Sequence, residues 1–229
     1  ILDIVFNRPN SRNAINREMF DIFLNTLQDC KKDSNIRAIF LSGTGDAFSA
    51  GGDVKDMAAK NDNSPLNEKT NSLRRIMEIT KLLYDLPIPT VAIVKGPAAG
   101  AAFALALACD MRIATKEAVF TTAFSKIGFS GDFGGSYFLT KLVGTAKAKE
   151  LYYFSEKIDA EKANNLGIIN EIHEAADIDE VVKKLKNKFK ELPPIAIKYM
   201  KKNLNLAVSG DPDHLLVRNL FFHPHPDHQ

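Results

Sequence analysis

The chain has 229 residues, 45% of them apolar and 25% charged, with a formal net charge of +2. A chain of this size can bury a core without metal or disulfide staples. Its near-balanced charge, with acidic and basic residues interspersed, excludes a general attraction to nucleic acid or to a membrane surface. Cys30 and Cys109 match no metal-binding spacing and lie in apolar contexts, as buried free thiols do. No signal peptide is visible, and the longest apolar stretch, Ala98 to Ala108, is too short to span a bilayer. A reducing, cytoplasmic setting is the expectation.

Leu2 to Asn7 (LDIVFN) reads as an opening strand closed by Arg8-Pro9. Apolar residues from Ile15 to Leu27 recur at helical intervals, and Ile36 to Ser42 is an apolar run of strand length. Small residues around Ala50-Gly51-Gly52 then lead towards a helix with Asp53 near its start. Residues 60 to 68 are polar, contain a proline and read as a surface loop. Leu73 to Leu86 is helical in pattern, Thr90 to Val94 is a buried strand, and Gly96 to Gly100 turns the chain into an alanine-rich helix ending at Cys109. Strands are expected at Met111–Ala114 and Val119–Phe124. A glycine-rich turn from Gly128 to Gly135 precedes a helix beginning near Ser136. Helices fill most of the remainder, with a break at Pro193-Pro194. Strands alternating with helices predict an α/β architecture with largely parallel pairing.

Two places share one design: a buried strand ends, small residues follow and a helix begins. They centre on Ala50-Gly51-Gly52-Asp53 and on Gly100-Ala101-Ala102. Amides at a helix start lack an intrahelical acceptor, and the helix dipole adds positive potential there. Two such amides converging on one oxygen would form an oxyanion hole. The same small residues also serve tight turns and close helix packing.

Asn7-Arg8-Pro9 with Asn13-Ala14-Ile15-Asn16, the run Gly45 to Asp53 (GDAFSAGGD), and Val94-Lys95-Gly96 through Ala108-Cys109-Asp110 occur in the order typical of the crotonase, or enoyl-CoA hydratase/isomerase, family. Lys126-Ile127-Gly128, Leu142-Val143-Gly144, Ala160 to Ala163 and Leu166-Gly167 continue the match over nearly the whole chain. The resemblance implies a crotonase, ClpP-like spiral of strand–strand–helix units over residues 1–170, followed by a helical oligomerisation region over 171–229. It implies an acyl-coenzyme A thioester substrate, no separate cofactor, no metal, and assembly as a homotrimer or a dimer of trimers. The backbone N–H groups of Gly52 and Ala101 would form the oxyanion hole. Ser49, Ala50, Asp53 and Phe124 would line the substrate and coenzyme A path, with Lys55 near the phosphates.

The family's hydratases place glutamates where this chain has Ala104 and Phe124. Hydration divides acid and base work between two carboxylates, so hydration by that pair is not expected. Asp132, in the glycine-rich turn, is similar in position to the aspartate of double-bond-shifting members. One carboxylate can carry a proton between two carbons while an oxyanion hole holds the enolate, and partial burial would raise its pKa to suit. Asp132 could instead cap the following helix. Two other readings of the site are substitution or hydrolysis with Asp132 as nucleophile, and an acyl-CoA-binding protein without catalysis.

The remaining motifs carry less. Gly43-x-Gly45-x-x-Phe48 is a broken dinucleotide fingerprint without its third glycine. His214, His223, His225 and His228 crowd a proline-rich tail and read as a flexible terminus. Ser136 has no histidine nearby in sequence to make it a nucleophile. Phe103, Phe120, Phe124, Phe129, Phe133 and Phe138 are expected to share core and acyl-pocket wall, a lining suited to a bulky or cyclic acyl group.

Overall fold

The computed structural model describes residues 1–54, 56 and 64–209. Its elements are β1 (Leu2–Phe6), α1 (Arg17–Cys30), β2 (Ile39–Gly43), α2 (Leu66–Asp85), β3 (Thr90–Val94), β4 (Pro97–Ala99), α3 (Ala101–Ala108), β5 (Met111–Thr115), β6 (Val119–Thr121), α4 (Gly135–Phe154), β7 (Ile158–Asp159), α5 (Ala160–Asn165), β8 (Glu171–His173), α6 (Ile178–Glu191) and α7 (Pro194–Ser209). The main sheet runs β1-β2-β3-β5-β8, and every neighbouring pair is parallel. A second sheet, β4-β6-β7, pairs β4 with β6 in parallel and β6 with β7 antiparallel. The α/β architecture with parallel pairing is therefore the one expected.

β3, TVAIV, apolar after Thr90, is buried at all its positions, as a parallel strand covered on both faces must be. On one face Phe40, Val91, Ile93 and Ile113 pack against Ile178 and Phe189 of α6. On the other, α1 contributes Phe20, Phe23, Leu24 and Leu27, and α2 contributes Ile76, Ile79 and Leu83. Between them lies α3, buried at every residue. Its terminal carbonyls cannot reach water, and the buried Arg112 serves them instead. Arg112 Nη1 donates to Cys109 O at 2.6 Å and to Ala106 O at 3.3 Å, while Nε donates to Ile168 O at 2.5 Å. Burial holds that guanidinium below its usual pKa. It pushes the neighbouring Cys109 thiol up to about 12, which leaves the sulfur protonated and unreactive. Both cysteines are free and buried, as expected.

Several boundaries differ from the sequence reading. The helix expected from Ile15 begins at Arg17, because the Asn16 side chain caps it by accepting from Met19 N at 3.0 Å. The strand expected from Ile36 begins at Ile39. α2 starts at Leu66, seven residues before Leu73, so the stretch from 66 to 68 is helix instead of loop. Residues 60–63 lie outside the described residues. The strand expected to reach Phe124 stops at Thr121, after which Ser125–Ile127 form a single 3-10 turn. β8 completes the main sheet beyond residue 170, and α6 packs on that sheet, so the core continues past the expected division.

α7 is fastened by one buried cation. Lys201 Nζ donates to Leu83 O at 2.9 Å, to Ile88 O at 3.0 Å and to Asp110 Oδ2 at 2.8 Å. Asp110 also accepts from the amide of Thr90 at 2.8 Å, at the start of β3. Lys201→Ala takes the cation from this carboxylate, which keeps only its Thr90 donors, and the Lys201 donor from two carbonyls. It is expected to lower unfolding free energy by about 2–3 kcal/mol in urea denaturation, somewhat less than for a fully enclosed pair.

Candidate active site

The segment from Phe48 to Asp53 is held from two sides. Asn13, wholly buried, donates from Nδ2 to Thr44 O and Ala47 O, each at 2.8 Å, and accepts from Arg8 N at 2.9 Å. This pins the loop after β1 against the segment. Ile15 N donates to Gly51 O at 2.8 Å and Asp53 N donates to Ile15 O at 3.0 Å. On the opposite side, Phe48 N and Ser49 N share Pro97 O, and Ala99 N donates to Ser49 O, each at 3.1 Å.

Following the amides along this segment isolates one of them. Ala50 N donates to Arg12 O at 2.9 Å, and Gly51 N to Ser49 Oγ at 3.1 Å. With Phe48, Ser49 and Asp53 already paired, Gly52 N alone in the run 48–53 donates to no acceptor among the described residues. The neighbouring segment shows the same break. Ala99 N and Gly100 N are paired, the latter to Thr121 O at 3.0 Å, while Ala101 N, opening α3, donates to no acceptor among the described residues. The two segments are in contact: a Cβ placed on Gly51, where φ is +92°, would fall 2.6 Å from Ala99 O and 3.4 Å from Ala101 N. Two amides expected from the sequence, both unpaired among the described residues, thus sit on adjoining segments.

A cavity of about 650 Å³ opens beside the first segment. Ile15 and Phe20 form one wall, Leu73 and Ile76 of α2 another, and Phe129 and Asp132 of the glycine-rich turn a third. Gly131 (φ +101°) and Phe133 (φ +49°) both adopt left-handed backbone around Asp132. That bend is held by Phe133, which is buried and stacks on Phe20 at 5.0 Å. The Asp132 side chain does not cap α4: among the described residues its buried Oδ1 has no hydrogen-bond partner, and only its backbone carbonyl accepts, from Gly135 N at 3.2 Å. Burial without a compensating donor pushes its carboxyl up to about 6.

The other expected residues divide. Asp53 lines the cavity, accepting from Asp56 N at 3.1 Å and pairing with Arg8 Nη1 at 2.8 Å. Ala50 is exposed and is not part of the cavity wall. Ser49 does not face a ligand path: it is wholly buried, its hydroxyl donating to Asn13 O at 2.7 Å, so it shapes the segment from behind. Phe124 is buried and stacks on Tyr152 at 6.2 Å, outside the cavity wall. Of the six phenylalanines expected to share core and pocket, Phe129 lines the cavity, while Phe103, Phe120 and Phe133 are core. Ala104 is buried against Gly135. Ser136 is exposed, and Lys55 and the four tail histidines lie outside the described residues.

Sequence reasoning missed Asn13, Phe20 and Tyr152. The helical pattern already placed Phe20 on the apolar face of α1, but nothing in it distinguishes a core residue from a cavity wall. Among the described residues no cluster of side chains could hold a metal ion, and no helix is long and apolar enough to cross a membrane.

Residues 1–219 match the family described as enoyl-CoA hydratase/isomerase. The short-chain-enoyl-CoA hydratase of Clostridium acetobutylicum is 30% identical over 215 residues, covering 93% of this chain and 81% of its own. The 1,2-epoxyphenylacetyl-CoA isomerase of Escherichia coli K12 is 30% identical over 214 residues, with the same two coverages of 93% and 81%. Among solved structures, a Thermobifida fusca protein in complex with acetoacetyl-CoA superposes with a TM-score of 0.83 at 28% identity, covering 92% of this chain and 85% of that one.

Proposed function

Because the chain belongs to the enoyl-CoA hydratase/isomerase family, we propose that it isomerises an unsaturated acyl-CoA through an enolate, with Asp132 as the proton shuttle. The observation that carries this reading is the partly buried Asp132 carboxyl, pushed up to about 6, with Oδ1 unpaired among the described residues, facing a largely apolar cavity. Positions 104 and 124 supply no second carboxylate. The relatives include both hydratases and isomerases by name, and the solved complex with acetoacetyl-CoA supports a thioester as the ligand.

In this mechanism the thioester oxygen accepts from Gly52 N and Ala101 N, two donors already free and fixed by their paired neighbours. Asp132 takes a proton from carbon, breaking the C–H bond, and the electron pair moves through the conjugated system onto the thioester oxygen. The charge that develops there is what the amides stabilise. Asp132 then returns the proton to the other end of the conjugated system, forming a new C–H bond and restoring the carbonyl. A carboxyl that titrates near 6 is well matched to both transfers at neutral pH.

Heavy-water exchange at the carbons beside and beyond the thioester, followed by NMR over a panel of linear and cyclic enoyl-CoA substrates, tests the reading. Exchange with double-bond migration that disappears in Asp132→Asn is the expected result. Tight binding without exchange by the native protein would overturn it in favour of an acyl-CoA-binding protein. A covalent acyl-aspartate trapped at Asp132 would replace it with substitution or hydrolysis.

A further inference from the structure

A second polar side chain lies behind the turn that presents Asp132. Tyr152 reaches it from α4, its ring stacked on Phe124 at an interplanar angle of 12°. A Cβ on Gly131 would fall 2.9 Å from Tyr152 Cε1, and a Cβ on Gly135 would fall 2.5 Å from the Tyr152 hydroxyl. The phenol therefore lies across both ends of the 131–135 turn, in room that exists because those two residues lack side chains. The same Gly135 position is 3.0 Å from Ala104 Cβ, so the hydroxyl sits next to the residue from which a carboxylate on α3 would have projected.

Two polar groups flanking one turn are left without partners. Asp132 Oδ1 is a buried acceptor with none, and the Tyr152 hydroxyl makes no hydrogen bond among the described residues. We infer that Tyr152 is a positioning residue for Asp132, its phenol hydroxyl being the donor that serves the buried carboxylate oxygen when the site is at work. This rests on the shuttle role of Asp132 for its kinetic consequence, but not for its chemical one. A donor to the ionised carboxylate favours the charged form. It would also fix which oxygen is left to meet carbon. Burial and the nearby Asp132 charge both raise the phenol's own pKa, so it stays protonated and able to donate across the neutral range.

Among the described residues, the other charged groups around the cavity are Arg17 of α1, Asp53 and Asp56 of the segment after β2, and Lys69 of α2. None changes in Tyr152→Phe, which also preserves the ring on Phe124, so the variant isolates the hydroxyl.

The test is a carboxyl-carbon NMR titration of protein labelled at aspartate, with the Asp132 signal identified by its loss in Asp132→Asn. In Tyr152→Phe the Asp132 midpoint is expected to rise by about one pH unit. The kcat for proton exchange should fall about tenfold with KM nearly unchanged, and its pH profile should move upward with the midpoint. A purely structural role would lower thermal stability and leave the midpoint in place, and that outcome overturns the inference. If Tyr152→Phe does not fold, native protein carrying 3-fluorotyrosine replaces it: a more acidic phenol is a stronger donor and must move the midpoint down. An unmoved midpoint there is equally fatal. A moved midpoint in a protein that exchanges no protons would sink the isomerase reading alone.

Discussion

Asp132→Asn is expected to lower proton exchange by at least about a thousandfold, because positions 104 and 124 hold no carboxylate to share the work, and at the same time to make the protein more stable. The second effect follows from the raised carboxyl. An aspartate titrating near 4 in the unfolded chain and at about 6 in the folded one releases its proton first on unfolding. Below pH 4 it is protonated in both states and weakens neither. Between pH 4 and 6 the unfolded chain gains ionisation that the native site resists, so stability falls with rising pH and levels off above the folded value. At pH 7 native Asp132 is ionised at a cost that, allowing for its partial exposure, is about 1–2 kcal/mol. Asparagine removes that cost. Melting curves should show the variant a few degrees above the native protein at pH 7 and level with it at pH 4. A loss of exchange accompanied by a loss of stability would mean that the carboxylate supports the fold.

Gly51→Ala is expected to damage both fold and reaction. The residue adopts φ of +92°, where a side chain is strained by about 1–2 kcal/mol, and its Cβ would press within 2.6 Å of a backbone oxygen, Ala99 O. Neither partner is a flexible side chain, so the two segments must separate. Urea denaturation should report a loss of about 3 kcal/mol or more. Exchange measured where the variant is still folded should fall about a hundredfold, the usual consequence of displacing an oxyanion donor. Loss of stability with normal exchange would show that the spacing of these segments does not govern the chemistry.

The fold was legible where one signal dominates. TVAIV is apolar after its threonine and became a central strand with the expected boundaries; the alanine-rich run became the buried helix α3. β7 and β8 were missed because two and three residues are too few to display alternation. The start of α2 was hidden because its first turns are exposed and, after Leu66, polar, which removes periodicity, and because Pro65 suggests a loop while serving as the N-cap residue. In the site, the two strand–turn–helix junctions were legible from their small residues, which also serve tight turns, and it took the family resemblance to narrow them to the amides of Gly52 and Ala101. Ser49 could not be assigned a direction, because its hydroxyl is satisfied by the carbonyl of Asn13, a residue distant along the chain. Tyr152 was invisible for a related reason. It is one of two adjacent tyrosines on α4, and the turn that brings it beside Asp132 depends on left-handed backbone at Phe133, a conformation seldom adopted by aromatic residues.

The unpaired amide at Gly52 gives the protein a built-in isotopic marker. Its neighbours Gly51 and Asp53 are both hydrogen-bonded, so in deuterated buffer their N–H signals should persist while that of Gly52 fades first. A thioester analogue that accepts from Gly52 should slow this one signal sharply and leave the adjacent two nearly unchanged. Occupancy could then be read from a single resonance in a protein whose turnover has been abolished.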